Sequence, residues 1–215
     1  MQKVIFYTSI LFGLYYVFLF DTIPDGYAMV FKLIPMVLFI MLAILLTKRS
    51  DSYALFVCIG LVFCAIGDYT LQWFIVGLTF FLIGHLFYIV AFTRKNGQTP
   101  VAVKTILLLD GAIMSIWLVT SLLDKGETVL AVAVVAYIAI ILTMGWTSFR
   151  TNNKLAIIAA MSFIFSDSIL AINRFIFDIP AAHELIMLSY YGAQLLFALS
   201  IQRVSMQETK VANLA

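Results

Sequence analysis

Six ionisable residues lie inside long apolar runs of this 215-residue chain: Lys32, Asp68, His85, Asp110, Asp167 and Arg174. A charge placed in hydrocarbon is costly and turns toward a bundle interior or a cavity, so each of the six is a candidate for function. Two carboxyl groups brought to one cavity can share general acid and general base work, provided one stays protonated and a cation holds the other ionised. Lys32 and Arg174 are the cations at hand. Asp167 and Arg174 are seven residues apart with Ala171 between them, nearly one helical face. An ion pair there needs the full reach of the arginine or a ligand shared by both.

Other polar side chains recur at helical spacing around these six. His85 and Tyr88 share a face; Tyr190 and Gln194 are four apart, with Tyr191 beside them; Ser166 and Asn173 flank the Asp167 stripe. At about 1.5 Å rise per residue, Lys32, Asp68 and Arg174 come one to two turns below one membrane surface, with His85 and Asp167 nearer the middle. Tyr190, Tyr191 and Gln194 reach a similar depth, so four helices are expected to face one polar cavity in the outer half of the bilayer. Asp110 is expected to stand apart, about two turns from the opposite end of its span.

The elements that must position these groups are set by composition. The chain is 64% hydrophobic, 15% aromatic and 11% charged, against about 45–50% apolar and 25% charged for a soluble domain, which excludes a soluble globule. Apolar runs at about 4–20, 28–46, 53–73, 75–92, 103–122, 128–148, 155–177 and 184–204 predict an all-α membrane protein, a bundle of eight transmembrane helices in one integral domain. The break between the third and fourth runs rests on Gln72, Trp73 and Gly77. A single helix across both would be about twice what a bilayer accommodates, so a tight turn is expected.

Lys3, Lys48, Arg49, Arg94, Lys95, Lys104, Arg150, Lys154, Arg203 and Lys210 flank one side, and Lys125 alone the other. Both termini are therefore expected to be cytoplasmic, with Asp21, Asp25, Asp124, Glu127, Asp178 and Glu184 in the outer loops. The first run is rich in bulky aromatics and has no small-residue cleavage site, so it reads as a retained span of a multi-pass protein. The expected setting is a bacterial inner (plasma) membrane. No run of like charge suggests nucleic-acid binding. Cys58 and Cys64 are six apart in one run, a spacing suited to neither a bridge nor a CxxC site. Only two histidines occur, without HxxxH spacing, so no metal ligand set and no cofactor is expected. Oligomeric state has no signature here.

GDYTL at 67–71 and SDSIL at 166–170 align at an offset of 99 residues. The match is one Asp and one Leu plus small residues. A duplication into two parallel four-helix halves would place Asp68 and Asp167 at equivalent points of spans 3 and 7; coincidence is the competing reading.

KLIP (32–35), IGDYTLQ (66–72), FFLIGHLFYIVAF (80–92), FIFSDSILAINRF (163–175) and SYYGAQLLFALS (189–200) together resemble the YhhN family of integral membrane proteins, the lysoplasmalogenase family, in order and spacing. The resemblance implies an eight-helix enzyme that hydrolyses the vinyl-ether bond of lysoplasmalogen, a lysophospholipid, to a fatty aldehyde and a glycerophospho-ethanolamine or -choline. It also implies that the two motif aspartates are Asp68 and Asp167, with catalytic roles.

A vinyl ether cleaves by acid, which is work for two carboxyl groups. A proton goes to the carbon β to oxygen, an oxocarbenium-like ion forms, water adds and the hemiacetal collapses. With Arg174 on the Asp167 face, Asp167 is expected to be the carboxylate and base and Asp68 the acid. Lys32 or Arg174 would hold the substrate phosphate, and Asn173, Tyr190, Tyr191 and Gln194 would orient headgroup or water, with His85 and Tyr88 also facing substrate. Against these stand plainer readings: Lys32 as a snorkelling cation, His85 and the tyrosines as packing residues, the aspartates as a structural clamp. An intramembrane aspartyl protease lacks support, because AIGD (65–68) misses the first glycine of a GxGD motif. The rival function is a transporter of small molecules or lipids with an embedded Asp/Lys/Arg site, for which mid-span Gly/Pro pairs are missing.

Overall fold

The computed structural model describes residues 1–24, 26–47 and 51–212, with side chains described through Gln202 and at Val204. Lys48, Arg49 and Asp25 fall outside the described residues, as do the side chains of Arg203 and Lys210. The described chain is helical, with no strand among its residues. It forms α1 (Gln2–Phe18), α2 (Ala28–Leu46), α3 (Ser52–Thr70), α4 (Phe74–Thr93), α5 (Val101–Asp124), α6 (Thr128–Ser148), α7 (Lys154–Phe175) and α8 (Ala182–Ala212). Short 3₁₀ turns follow α1 at Phe20–Thr22 and α6 at Phe149–Thr151.

Seven of these helices, α2 to α8, are long and apolar enough to cross a membrane; α1 has 17 residues. At about 1.5 Å per residue these lengths match a hydrocarbon core of about 30 Å. The protein is a multi-pass integral membrane protein built as an all-helical bundle. Large apolar side chains cover its outside: along α5, Ile106, Leu109, Ile113 and Ile116 are each at least 60% exposed, which only a lipid environment makes cheap.

Two boundaries differ from the apolar runs. α3 stops at Thr70 rather than 73, because Leu71 to Trp73 form the turn: Trp73 N–H donates to the Thr70 carbonyl at 2.8 Å. Gly77 permits this turn, since a Cβ there would come within 2.6 Å of the Leu71 Cα. α8 runs on to Ala212, beyond the expected 204, since the polar stretch that follows is built from good helix formers.

Successive helices other than α4 and α5 pack as hairpins, and five longer-range contacts close the bundle: α4 against α6, α5 against α7, and α8 against α1, α2 and α3. The α3/α4 seam is tight because glycines face aromatic rings. A Cβ on Gly60 would come within 2.4 Å of the Tyr88 ring, and one on Gly67 within 2.9 Å of Phe81. At the other end of the bundle, α8 is pinned by Ser200, whose hydroxyl meets Tyr53 Oη at 2.7 Å and whose carbonyl accepts from Asn153 Nδ2 at 3.0 Å. Asn153 also caps α7, accepting from Leu155 N–H at 3.0 Å. Both cysteines are free.

Candidate functional site

Helix α3 carries Asp68 near its last turn, where Gly67 lets Phe81 of α4 approach. The aspartate is 2% exposed, so its charge has to be met inside the protein. Lys32 of α2 does this, with Nζ 3.1 Å from Oδ1. Tyr190 of α8 donates its hydroxyl to Oδ2 at 2.5 Å. The lysine is itself fixed by local chemistry. Pro35 three residues on has no N–H for the helical ladder and loosens the turn that contains Lys32. Tyr191 donates to the Lys32 carbonyl at 2.8 Å. The cation does not snorkel away; it is held in an ion pair.

Asp167 lies eight residues before the end of α7 and has different company. Its Oδ2 accepts a hydrogen bond from the Tyr137 hydroxyl of α6, and no ion pair reaches it among the described residues. Tyr137 is not among the residues that the spacing argument singles out. A search for ionisable groups passes over a neutral phenol, although a lone hydroxyl in the middle of the apolar span 6 is itself a signal.

Both aspartates line one cavity of about 260 Å³, together with Lys32, Tyr137, Tyr190 and Ser166. The rest of the wall is largely apolar, with Leu71, Phe74 and Leu78 on one side and Met114, Leu118, Val134 and Ile138 on the other. Few, convergent polar groups in an apolar cleft are the mark of a small-molecule site. Two further residues join this wall, one of them contrary to the sequence reading. Asp110 of α5 lines it rather than standing apart, because α5 packs along both α6 and α7. His183, in the first turn of α8, lines the cavity and contacts the Tyr16 carbonyl through Nε2 at 3.2 Å.

Arg174 is not beside Asp167. Its guanidinium lies 4.3 Å above the Phe74 ring and 5.8 Å from the Phe175 ring, at the α7 end rather than in the aspartate cavity. The two-turn separation on α7 is wider than the side chain spans when a stacking partner is nearer. Five other expected substrate contacts lie outside the cavity wall. His85 is fully buried among the rings of Phe163 (4.6 Å), Tyr137 (5.4 Å) and Tyr88 (6.3 Å), where it buttresses Tyr137. Tyr88 donates to Gln194 Oε1 at 2.8 Å, joining α4 to α8. Asn173 Oδ1 accepts from the Ile179 N–H at 2.7 Å, shaping the α7–α8 turn. Tyr191 holds the Lys32 backbone.

The arrangement is chemically asymmetric. One carboxyl group has an ammonium at contact distance, while the other has a phenol. Such a pair can act as base and acid on a ligand between them without either group changing place.

A model of the YhhN family matches residues 27–201. The chain is 34% identical over 174 residues to the lysoplasmalogenase TMEM86A of Bos taurus, covering 74% of this chain and 69% of that protein. It is 35% identical over 157 residues to the Homo sapiens lysoplasmalogenase TMEM86A, 66% of this chain and 63% of that protein. Against the Homo sapiens lysoplasmalogenase TMEM86B it is 33% identical over 163 residues, 74% of this chain and 69% of that protein. The matched stretches thus span about two thirds of these relatives' length. No solved structure matches. The family match begins ahead of Lys32 and ends beyond Gln194, enclosing both aspartates and every residue hydrogen-bonded to them, and the chain belongs to the YhhN family.

Proposed function

We propose that this protein is a lysoplasmalogenase, an ether hydrolase that cleaves the vinyl-ether bond of a lysophospholipid to a fatty aldehyde and a glycerophospho-ethanolamine or -choline. The relatives' names support the activity. One observation carries the mechanism: the two aspartates line one cavity, one with a lysine and one with only a tyrosine. This reverses the roles expected from sequence. Asp68, beside the Lys32 ammonium, carries the charge, and Asp167, with no cation, carries the proton.

The reaction then closes on itself. Asp167 delivers its proton to the β carbon of the vinyl ether, and the oxocarbenium-like ion forms beside the Asp68 carboxylate. Asp68 takes a proton from water as the water oxygen bonds to the ether carbon, giving a hemiacetal. On collapse Asp68 returns that proton to the departing glycerol oxygen, while Asp167 takes the hemiacetal hydroxyl proton. Both carboxyl groups end as they began. The low-dielectric wall strengthens each electrostatic contact.

One pair of helix neighbours supports two parallel halves, since α4 beside α6 mirrors α8 beside α2 when spans 1–4 are laid on 5–8, and the one-sided distribution of Lys and Arg supports cytoplasmic termini.

The test is aldehyde release from lysoplasmenyl-ethanolamine by purified protein in detergent, beside an acyl-ester lysolipid. Aldehyde from the first and no fatty acid from the second supports vinyl-ether hydrolysis; a folded protein without turnover refutes it and favours transport. Tyr137→Phe should lower turnover about tenfold. It removes the one hydrogen bond that aims Asp167, and leaving a buried polar group unpaired costs about 1–3 kcal/mol. Melting temperature and initial rate, measured on one preparation, check both effects; an unchanged rate would separate Tyr137 from the chemistry.

A further inference from the structure

A second concavity lies at the end of the bundle formed by the α3–α4, α5–α6 and α7–α8 connections. Trp73, Phe74, Lys125, Glu127, Arg174 and Phe175 are among its lining residues. Phe74 and Phe175 also line the aspartate cavity, so these two rings form the partition between the spaces. They meet edge to face, with centroids 5.4 Å apart at 80°.

Two cations converge on that partition. The Arg174 guanidinium stacks on Phe74 at 4.3 Å and makes no hydrogen bond or ion pair among the described residues. Lys125 Nζ donates to the Phe175 carbonyl at 2.8 Å, one of the carbonyls that the end of α7 leaves without a helical partner. Both side chains are exposed on this face, and Glu127 is the acid among the residues lining the concavity. Exposed as it is, the guanidinium stays over the Phe74 ring, 4.3 Å from its centroid, beside the aspartate cavity that this ring also lines. A guanidinium so held presents planar donors suited to a phosphate.

Spacing ties the two spaces together. Asp167 and Arg174 are two turns apart on α7, about 10 Å along the axis, the scale of an extended glycerophosphate. Resting on the lysoplasmalogenase reading, we propose that this concavity is the headgroup subsite. Arg174 and Lys125 bind the phosphodiester anion of the lysolipid, and the glycerol passes the Phe74/Phe175 partition to set the vinyl ether between the aspartates. The same chemistry would also hold the phosphate of a neighbouring bilayer lipid, and the test separates the two sources.

The experiment compares kcat/KM in phospholipid-free detergent for lysoplasmenyl-ethanolamine and for 1-alkenylglycerol, which has the vinyl ether but no phosphate. Wild-type protein should prefer the phosphate-bearing substrate. Arg174→Gln and Lys125→Gln should each cut that preference at least tenfold, through KM. Glu127→Gln, which removes the like charge facing the anion, should raise it. A preference unmoved by all three variants, or lowered by all three, overturns the subsite. If phospholipid added to the detergent is needed before the variants differ from wild type, the anion bound is a bilayer lipid, and the substrate subsite is overturned.

Failure of the underlying reading looks different: wild-type protein then releases aldehyde from neither substrate. The anion site is still decided by titrating sn-glycerol 3-phosphate and following tryptophan fluorescence, to which Trp73 in the lining contributes. Saturable binding weakened at least tenfold by Arg174→Gln sustains it, and indistinguishable titrations overturn it.

Discussion

Asp167→Asn should abolish aldehyde release, lowering the rate by about 10²–10⁴-fold or more, and leave the protein as stable as wild type. The amide cannot pass a proton to carbon, yet its oxygen can still accept the hydrogen bond that Tyr137 gives to Oδ2. One neutral group replaces another in a buried place. Asp68→Asn should be equally inactive for a different reason and should also melt earlier. It strips the Lys32 ammonium of the carboxylate 3.1 Å away, and breaking a buried pair by removing one partner costs up to about 3–5 kcal/mol. Rates and melting temperatures of the two variants in the same detergent check this. Turnover by Asp167→Asn, or an equal loss of stability in both, would refute the assignment of Asp167 as the protonated acid.

Lys32→Met should be the second large effect. It leaves Asp68 buried with only the Tyr190 hydroxyl, so the carboxylate loses the charge that makes it a base, and turnover falls at least about 10²-fold. Stability falls as well, by an amount limited by the partial exposure of the lysine, 13% against 3% for the aspartate. Adding Asp68→Asn to Lys32→Met should restore much of the stability and none of the activity, because a neutral amide facing an apolar chain no longer leaves a charge unpaired. A double-mutant cycle on unfolding measures the coupling. Additive losses, or a Lys32→Met protein with wild-type turnover, would return the lysine to the snorkelling role that a cation near a span end ordinarily plays.

The bundle was legible because hydrocarbon imposes its own grammar. A chain that is 64% hydrophobic with runs of span length can satisfy its backbone in lipid only as helices. Five of the six ionisable side chains stranded in those runs do line the two concavities: Lys32, Asp68, Asp110 and Asp167 the first and Arg174 the second; His85 alone is walled off by aromatic rings. The α3–α4 turn was readable too, from Gln72, Trp73 and Gly77, since bilayer thickness forbids the alternative.

What sequence could not give was partnership. Lys32 and Arg174 look equivalent as cations near span ends, and spacing along α7 favours Arg174 for Asp167. Yet α2 lies against α3 and α8, which brings Lys32 to Asp68, while a phenylalanine ring from α4 takes Arg174. Tyr137 reaches the site from a helix with no ionisable group in mid-span and His183 from the first turn of α8, and Asp110 reaches it because α5 leans on α7. The sequence by itself determined which helices would carry charges within their spans and at what depth, since that follows from local hydropathy and a fixed rise per residue. Only the tertiary structure decided which charge meets which, because helix order around the bundle and rotation about each axis are set by packing between distant segments, such as Gly60 against Tyr88 and Gly67 against Phe81. Those choices made Asp68 the paired carboxylate and left Asp167 to its tyrosine.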